Sequence, residues 1–369
     1  MGSKHGFWKT DTGLQKKVVD TYMATGSIYA AARKTGVSWN TASNIVGLCA
    51  PTKSLSEMVE SIKPKPIKVK QRKKAYRTRE EVNLMMSDLH YGGRHTASQT
   101  LGLAEYNVKT AEKRVEILAE KFLGILDILG PSYKFNTMNL ILMGDMMDGE
   151  AIWQDKVGGT LNVENGGAEQ LIGCTELIAG FVKEIGERFN AVRCYCLIGN
   201  HPRAANKVTY LNNLDFFMYK MLQYKFDGTH IKVFPMTSWL GAFMLNGHMT
   251  IAAHGDYTRS WGQFPMYGIV RDTLKTMGML NKVPEYALYA HHHSQTHFNI
   301  SNVEVLVNGS MIGGTEFGVS RFKAIERPSQ WMFGMHEREG MTWQFNLRLA
   351  KMNELRPDEN DILTPYSRI

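Results

Sequence analysis

Five apolar runs in this chain each stop at a cluster of Asp, Asn or His, and that repeated ending narrows the fold more than any bulk property does. Val82–Ser87 runs into Asp88-Leu89-His90, and Thr137–Met143 into Gly144-Asp145-Met146-Met147-Asp148. Ala191–Ile198 leads to Gly199-Asn200-His201, Met249–Ala253 to His254-Gly255-Asp256, and Tyr286–Tyr289 to Ala290-His291-His292-His293. Short apolar runs bounded by glycine and polar residues read as buried strands. Ligand-type side chains at the C-terminal ends of neighbouring strands converge on one crevice, where α/β sheets place their sites. In extended backbone alternate residues share a side. Asp88 is therefore expected beside His90, and His291 beside His293, with His292 facing away.

Helical periods separate the first three strands. Val108–Leu129 sets Ala111, Val115, Leu118, Phe122, Ile125 and Leu129 on one face, and Leu171, Thr175, Ile178, Val182, Ile185 and Phe189 line another helix. The resulting βαβαβ order implies right-handed crossovers and a partly parallel sheet. Ala242–Leu245, Val303–Val307 and Met341–Leu349 read as further strands, with fewer helices between them. The expected body is mixed α/β, two facing sheets with helices outside.

The front of the chain is different. Residues 12–48 read as three short helices: one with Leu14, Val18, Val19 and Tyr22 inward, one over Ile28–Lys34 capped by Ser27, and one over Trp39–Val46 capped by Ser38, with Ala42, Ile45 and Val46 inward. Ala32, then Gly36, Val37 and Ile45, resembles helix-turn-helix spacing, in which Ala lets two helices approach and Gly makes the bend. On that reading Trp39, Asn40, Thr41, Ser43 and Asn44 would be exposed to bases or phosphates. A plain helical oligomerisation module is the alternative. Residues 51–80 carry ten Lys/Arg against three Glu, and residues 1–50 six against two Asp, whereas the remaining 289 residues hold 27 bases and 30 acids. The net positive charge of +8 thus lives in the first eighty residues. Pro64, Pro66 and dense like charge in 51–80 predict an extended linker, whose Lys70, Arg72, Lys73 and Lys74 could follow a phosphate backbone or simply solubilise a tether. The expected organisation is a helix-turn-helix domain over 1–50, the linker over 51–80, the α/β body over 81–350 and a polar tail over 351–369.

No run approaches the ~18 uncharged apolar residues of a membrane helix, and the start of the chain lacks a secretory apolar core. Cys49, Cys174, Cys194 and Cys196 form no CxxC pair; buried, reduced thiols in a cytoplasmic protein are expected.

The order DxH, GDxxD, GNH, HG, HxH over residues 81–310 resembles the calcineurin-like metallophosphoesterases. It is similar to SbcD-type nucleases, and through Gly199–Leu222 and Asn308–Gly313 to phosphoesterases encoded by bacteriophages, which would place the chain in the host cytoplasm. The resemblance implies one metal on Asp88, His90, Asp145 and His293 and a second on Asp145, Asn200, His254 and His291, with Asp145 bridging. Mixed carboxylate and imidazole donors suit Mn²⁺ first, with Fe²⁺ or Zn²⁺ as alternatives. Paired cations ~3.5–4 Å apart would activate a water and neutralise phosphoryl charge. His201 would stabilise the transition state or protonate the leaving oxygen. Pro202 stands where family members carry an acid that orients this histidine, which leaves Asp148 as the candidate substitute. Ala290 replaces the usual glycine. Arg94 and Arg203 are candidate phosphate clamps; His95, His230, His248, His297 and His336 match no motif position.

The function expected is a phosphodiesterase acting on DNA, with a two-fold homodimer as a natural partner for a helix-turn-helix. A phosphatase or (cyclic) nucleotide phosphodiesterase would use the same site, because specificity lies in the loops above it. A DNA-binding regulatory or packaging protein with an inert body is the reading from another class.

Overall fold

A computed structural model of the chain describes residues 12–49, 77–151, 162–205, 207–259, 265–322 and 325–350. The chain divides into two compact units, Met1–Lys73 and Lys74–Ile369.

The described part of the first unit is three helices, α1 (Thr12–Thr25), α2 (Ile28–Thr35) and α3 (Trp39–Cys49). They close over Val18, Val19, Ala31, Ala32, Ala42, Ile45 and Val46. Ser27 Oγ accepts from the Ala30 N–H at 3.3 Å and Ser38 Oγ from the Thr41 N–H at 3.1 Å, which satisfies first-turn donors of α2 and α3. Gly36 ends α2 at φ 70°, its N–H on the Ala32 carbonyl, a left-handed cap that costs glycine little. Trp39 is 54% exposed, and Asn40 and Asn44 are exposed as well. Thr41 and Ser43 are only half-buried rather than open, because Thr41 turns its hydroxyl back to Ser38 (2.8 Å). Leu14 and Tyr22, expected inside, are half-buried, and Cys49, expected buried, is exposed near the end of α3. Lys70, Arg72, Lys73 and Lys74 lie outside the described residues.

The second unit is built on two sheets. Its elements are β1 (Thr78–Met86), α4 (Val108–Leu129), β2 (Tyr133–Met143), α5 (Gly167–Gly186), β3 (Ala191–Leu197), α6 (Leu214–Lys225), β4 (Ile231–Pro235), β5 (Leu240–Leu245), β6 (His248–Ala253), α7 (Pro265–Leu280), β7 (Tyr286–Tyr289), β8 (Thr296–Ile300), β9 (Val303–Val307), β10 (Ser329–His336) and β11 (Gly340–Arg348). The first sheet runs β11-β10-β1-β2-β3-β4, the second β5-β6-β7-β9-β8. β1 to β4 are parallel neighbours, while β10 returns antiparallel on the other edge of β1. β6, β7 and β9 are the parallel centre of the second sheet.

Alternation along the strands assigns each side chain to a layer. Leu84 and Met86 pack with Phe122 of α4, Ile178 of α5 and Met218 of α6. Met85, one step out of phase, joins Ile141, Leu197, Leu288, Leu306 and Phe333 between the two sheets. Ile251, Ala287, Tyr289 and Val305 face outward from the second sheet onto Ile269 of α7. The layers are thus helix, sheet, sheet, helix, the mixed α/β architecture expected from the strand and helix periods. Among the described residues no helix is long and apolar enough to cross a membrane.

Several elements depart from expectation. β1 begins at Thr78, inside the stretch read as linker, because its charged residues have partners in the sheet. The Glu81 carboxylate takes Arg193 and Asn139, and that of Glu80 takes the Trp343 indole and the Thr342 hydroxyl at 2.8 Å. β4, β8, β10, α6 and α7 were not anticipated. Gln330 breaks the apolar pattern of β10, yet it is buried with its amide bonded to Ser87, Asn308 and Gly309. Cys174, Cys194 and Cys196 are buried free thiols, as expected.

Candidate metal centre

The segment after β1 and the segment after β2 run side by side. Asp88 N–H donates to the Gly144 carbonyl at 3.0 Å and His90 N–H to that of Asp145 at 2.9 Å. In the second sheet Ala290 N–H donates to the His254 carbonyl at 2.9 Å. Bonds between the strand ends of the two sheets include His254 Nδ1 to the Met143 carbonyl (2.7 Å) and His291 N–H to Asp88 Oδ2 (3.3 Å). The loops meet at van der Waals distance. A Cβ on Gly144 would lie 2.4 Å from the Gly199 nitrogen, and one on Gly199 only 2.1 Å from Asp145 Oδ1, so only glycine fits either place.

The backbone here is not the extended zigzag expected from the DxH and HxH spacing. Asp88 (φ 52°), His90 (49°), Asp145 (50°), His291 (67°) and His293 (59°) all occupy the left-handed region. Non-glycine residues pay of order 1–3 kcal/mol for such conformations, and their clustering marks a functional site. Each turn through positive φ swings the next donor toward the same point. His292, between two of them, turns to Thr258 Oγ1 instead (2.7 Å).

Three donor groups, each with its atoms within 4.8 Å of one another, overlap in a chain: Asp88–His90–His293, His90–Asp145–His201 and Asp145–His254–His291. Asn200 Oδ1 joins the last, 3.2 Å from His254 Nε2. All seven side chains expected as ligands therefore come together, with Asp145 shared.

The hydrogen-bond inventory of these atoms fits a cation. His254 Nδ1 donates to a carbonyl, so Nε2 presents a lone pair. That lone pair meets Asp145 Oδ2 at 3.1 Å and the Asn200 amide oxygen, three acceptors with no donor among them. His90 Nδ1 is held by Asp148 Oδ1 at 3.0 Å, which aims His90 Nε2 at His293 Nε2, 3.4 Å away. Asp88 Oδ1 is buried without a hydrogen bond, 3.4 Å from the same His293 nitrogen. Lacking a cation, such a cluster must hold protons instead. Burial pushes the His254 pKa down, but the charge of Asp145 overcomes it and holds the ring up at about 10. Divalent ions are the hard-to-borderline partners that carboxylate, amide and imidazole donors suit.

Around the cluster lies a supporting set. Asp148 Oδ1 bonds both His90 Nδ1 and His201 Nδ1, each at 3.0 Å, and so supplies the orienting carboxylate that Pro202 lacks. Burial pulls the His201 pKa down, and Asp145 and Asp148 reverse this and hold it up at about 9. Asp215 escaped the sequence reading. Its two oxygens accept the N–H groups of Met146 (3.2 Å) and Gly199 (3.0 Å), tying the two glycine loops together, while burial and then the Asp145 charge push its pKa up to about 8. Asn213 caps α6 and Asp215 stands in its first turn, an acid at a helix start that carries no motif of its own. His95, which matches no motif position, is 2% exposed with its Nδ1 unbonded among the described residues, within electrostatic reach of Asp148, His90 and His201. His230, His248, His297 and His336 have local structural partners, as expected. Arg203 Nε donates to the Asn200 carbonyl at 2.8 Å, which fixes it at the rim. Arg94 is exposed, its N–H on the Asn162 carbonyl at 2.7 Å.

No protein-family model matches the chain, and no curated protein is similar to it in sequence. Solved structures do share features of its outline. A zinc complex of Vps29 from Entamoeba histolytica is 10% identical, covering 72% of this chain and 99% of that one at a TM-score of 0.33. An archaeal phosphodiesterase is 11% identical over 72% and 99% (TM-score 0.31), and a predicted phosphoesterase from Streptococcus pneumoniae 11% identical over 72% and 98% (TM-score 0.29). Likenesses at this level assign no role to any residue.

Proposed function

We propose that the second unit is a dinuclear-metal phosphodiesterase and that its substrate is DNA, which makes the protein a nuclease. The observation that carries the reading is the convergence of two carboxylates, an amide oxygen and four imidazoles around the shared Asp145, a donor set that divalent ions would fill in place of the proton held on His254. Asp88, His90, Asp145 and His293 would hold one divalent ion, Asp145, Asn200, His254 and His291 the other. Bound there, two such ions supply Lewis acidity toward phosphoryl oxygens and lower the pKa of water toward neutrality.

The chain's own residues supply the rest. With Nδ1 engaged by Asp148, His201 has Nε2 for handing a proton to the leaving oxygen, and its raised pKa keeps that proton available at neutral pH. Arg203, held against the backbone of Asn200, offers a guanidinium to a non-bridging phosphate oxygen. Substrate choice rests on the basic first eighty residues and on Trp39, Asn40 and Asn44, exposed on α3, which suit a polyanion with readable edges.

Incubation of linear, circular and single-stranded DNA with Mn²⁺, beside the Asp145→Asn variant, tests this directly. Cleavage by the wild type and none by the variant is expected. A protein that takes up no metal and cleaves nothing when Mn²⁺ is added would be an inert body on a DNA-binding front.

A further inference from the structure

Beside the Asn200 and His254 edge of the cleft stand two exposed aromatic rings that the proposed chemistry does not use. β5 and β6 pair antiparallel with Leu240 opposite Ala253. One step further along each strand, Trp239 comes level with His254. Tyr257 lies three residues past that histidine, and its ring meets Trp239 edge-to-face at 6.2 Å between centroids. The loop that carries Tyr257 is pinned: Thr258 Oγ1 donates to the Gly255 carbonyl at 2.6 Å and contacts His292 Nε2 at 2.7 Å. Trp239 is 36% exposed and Tyr257 64%. Large rings so open to water lose apolar burial, and here Trp239 stands immediately before β5, opposite the end of β6 that leads into His254, while Tyr257 stands on the pinned loop that follows it.

The same rim carries phosphate chemistry. Arg203 is anchored on Asn200 and lies within electrostatic reach of Asp256, the residue before Tyr257; half-buried Tyr210 lies within electrostatic reach of both Asp256 and Tyr257. A guanidinium and two aromatic rings, brought to one rim through Asp256 and Tyr257, match the two ends of a nucleotide: a phosphate and a base.

We infer that Trp239 and Tyr257 form a stacking platform for an unpaired nucleobase next to the scissile phosphate, so that the substrate is a single-stranded or frayed nucleic acid. The inference rests on the nuclease reading and adds its strand preference. A base inside a duplex is stacked on both faces and cannot lie on a protein ring, whereas an unpaired base can, whatever its identity.

The test compares a single-stranded DNA oligonucleotide with an abasic strand of the same length, using wild type and the Trp239→Ala/Tyr257→Ala double variant with Mn²⁺. Both positions are solvent-exposed, and circular dichroism checks the variant's fold. Wild type is expected to cleave the base-bearing strand about tenfold faster than the abasic one, within the range that base–aromatic stacking supplies, and the double variant to lose that preference. In parallel, a 2-aminopurine oligonucleotide titrated with metal-free protein should lose fluorescence on wild type and keep it on the double variant. Equal cleavage of the two strands by wild type, or a preference and quench that survive in the variant, overturns the platform while leaving the nuclease intact. Cleavage of no DNA at all by wild type overturns the nuclease reading, and the platform falls with it.

Discussion

His201 and His254 are the same side chain given opposite tasks by what holds Nδ1. A backbone carbonyl holds His254 and directs Nε2 at Asp145 and Asn200, where a metal would take the place of its proton; a carboxylate holds His201 and favours its charged form. Asp145→Asn should therefore strip both ions, with metal content by mass spectrometry and activity falling together. His201→Ala should keep its metal and lose roughly a hundredfold in rate, the scale of general acid catalysis. His95 predicts a pH effect on stability. Burial holds its folded pKa down at about 4, against about 6.5 in the unfolded chain. The unfolded state binds the extra proton between those values, so this contribution is intact above pH 6.5 and fades as pH falls toward 4, by about 3 kcal/mol in all. His95→Gln should flatten that acid limb in urea titrations of the metal-free protein. The convergence of these side chains was legible because each closes an apolar strand and fits one ordered motif. Asp215 and His95 were not, since an acid at a helix start and a histidine in a loop declare nothing until the fold brings them to the cleft.

At the scale of elements, the strand ends are the device. Left-handed turns at Asp88, Asp145 and His293 aim donors inward, and glycines at 144 and 199 let the loops touch. Gly199→Ala should cost about 1–3 kcal/mol, the scale of overpacking, and weaken metal uptake, because its methyl would collide with Asp145. Denaturant midpoints with and without Mn²⁺ would separate the two losses. Elements whose pattern is pure were readable from the sequence: α4, β7 and β9 have the expected bounds. β10 was hidden by Gln330, which is buried against Asn308 just past β9 of the other sheet, and β8 by His297, which contacts Gln344 of the other sheet, and by exposed Asn299. The extended geometry expected for DxH and HxH was wrong for a related reason. Spacing reports which residues are near each other, whereas the backbone dihedral follows from the hydrogen bonds of the neighbouring loop.

At the scale of the whole molecule, charge and chain order matter most. If the basic front carries phosphate contacts, DNA affinity should fall with salt by about 0.9 log units per log unit for each contact, and deleting residues 1–73, which leaves β1 whole, should reduce that slope. Equal slopes with and without those residues would remove the front from DNA recognition. Chain order has its own consequence through β10. It lies against β1 and is joined to it by bonds such as Asn83 to Phe333, 250 residues apart in sequence. On the ribosome, every side chain of the proposed metal cluster is therefore made before the strand that covers one flank of β1. A nascent chain stopped before Ser329 would hold the whole donor set with β1 unpaired on that side, so metal capture should come late, as a signature of completed synthesis.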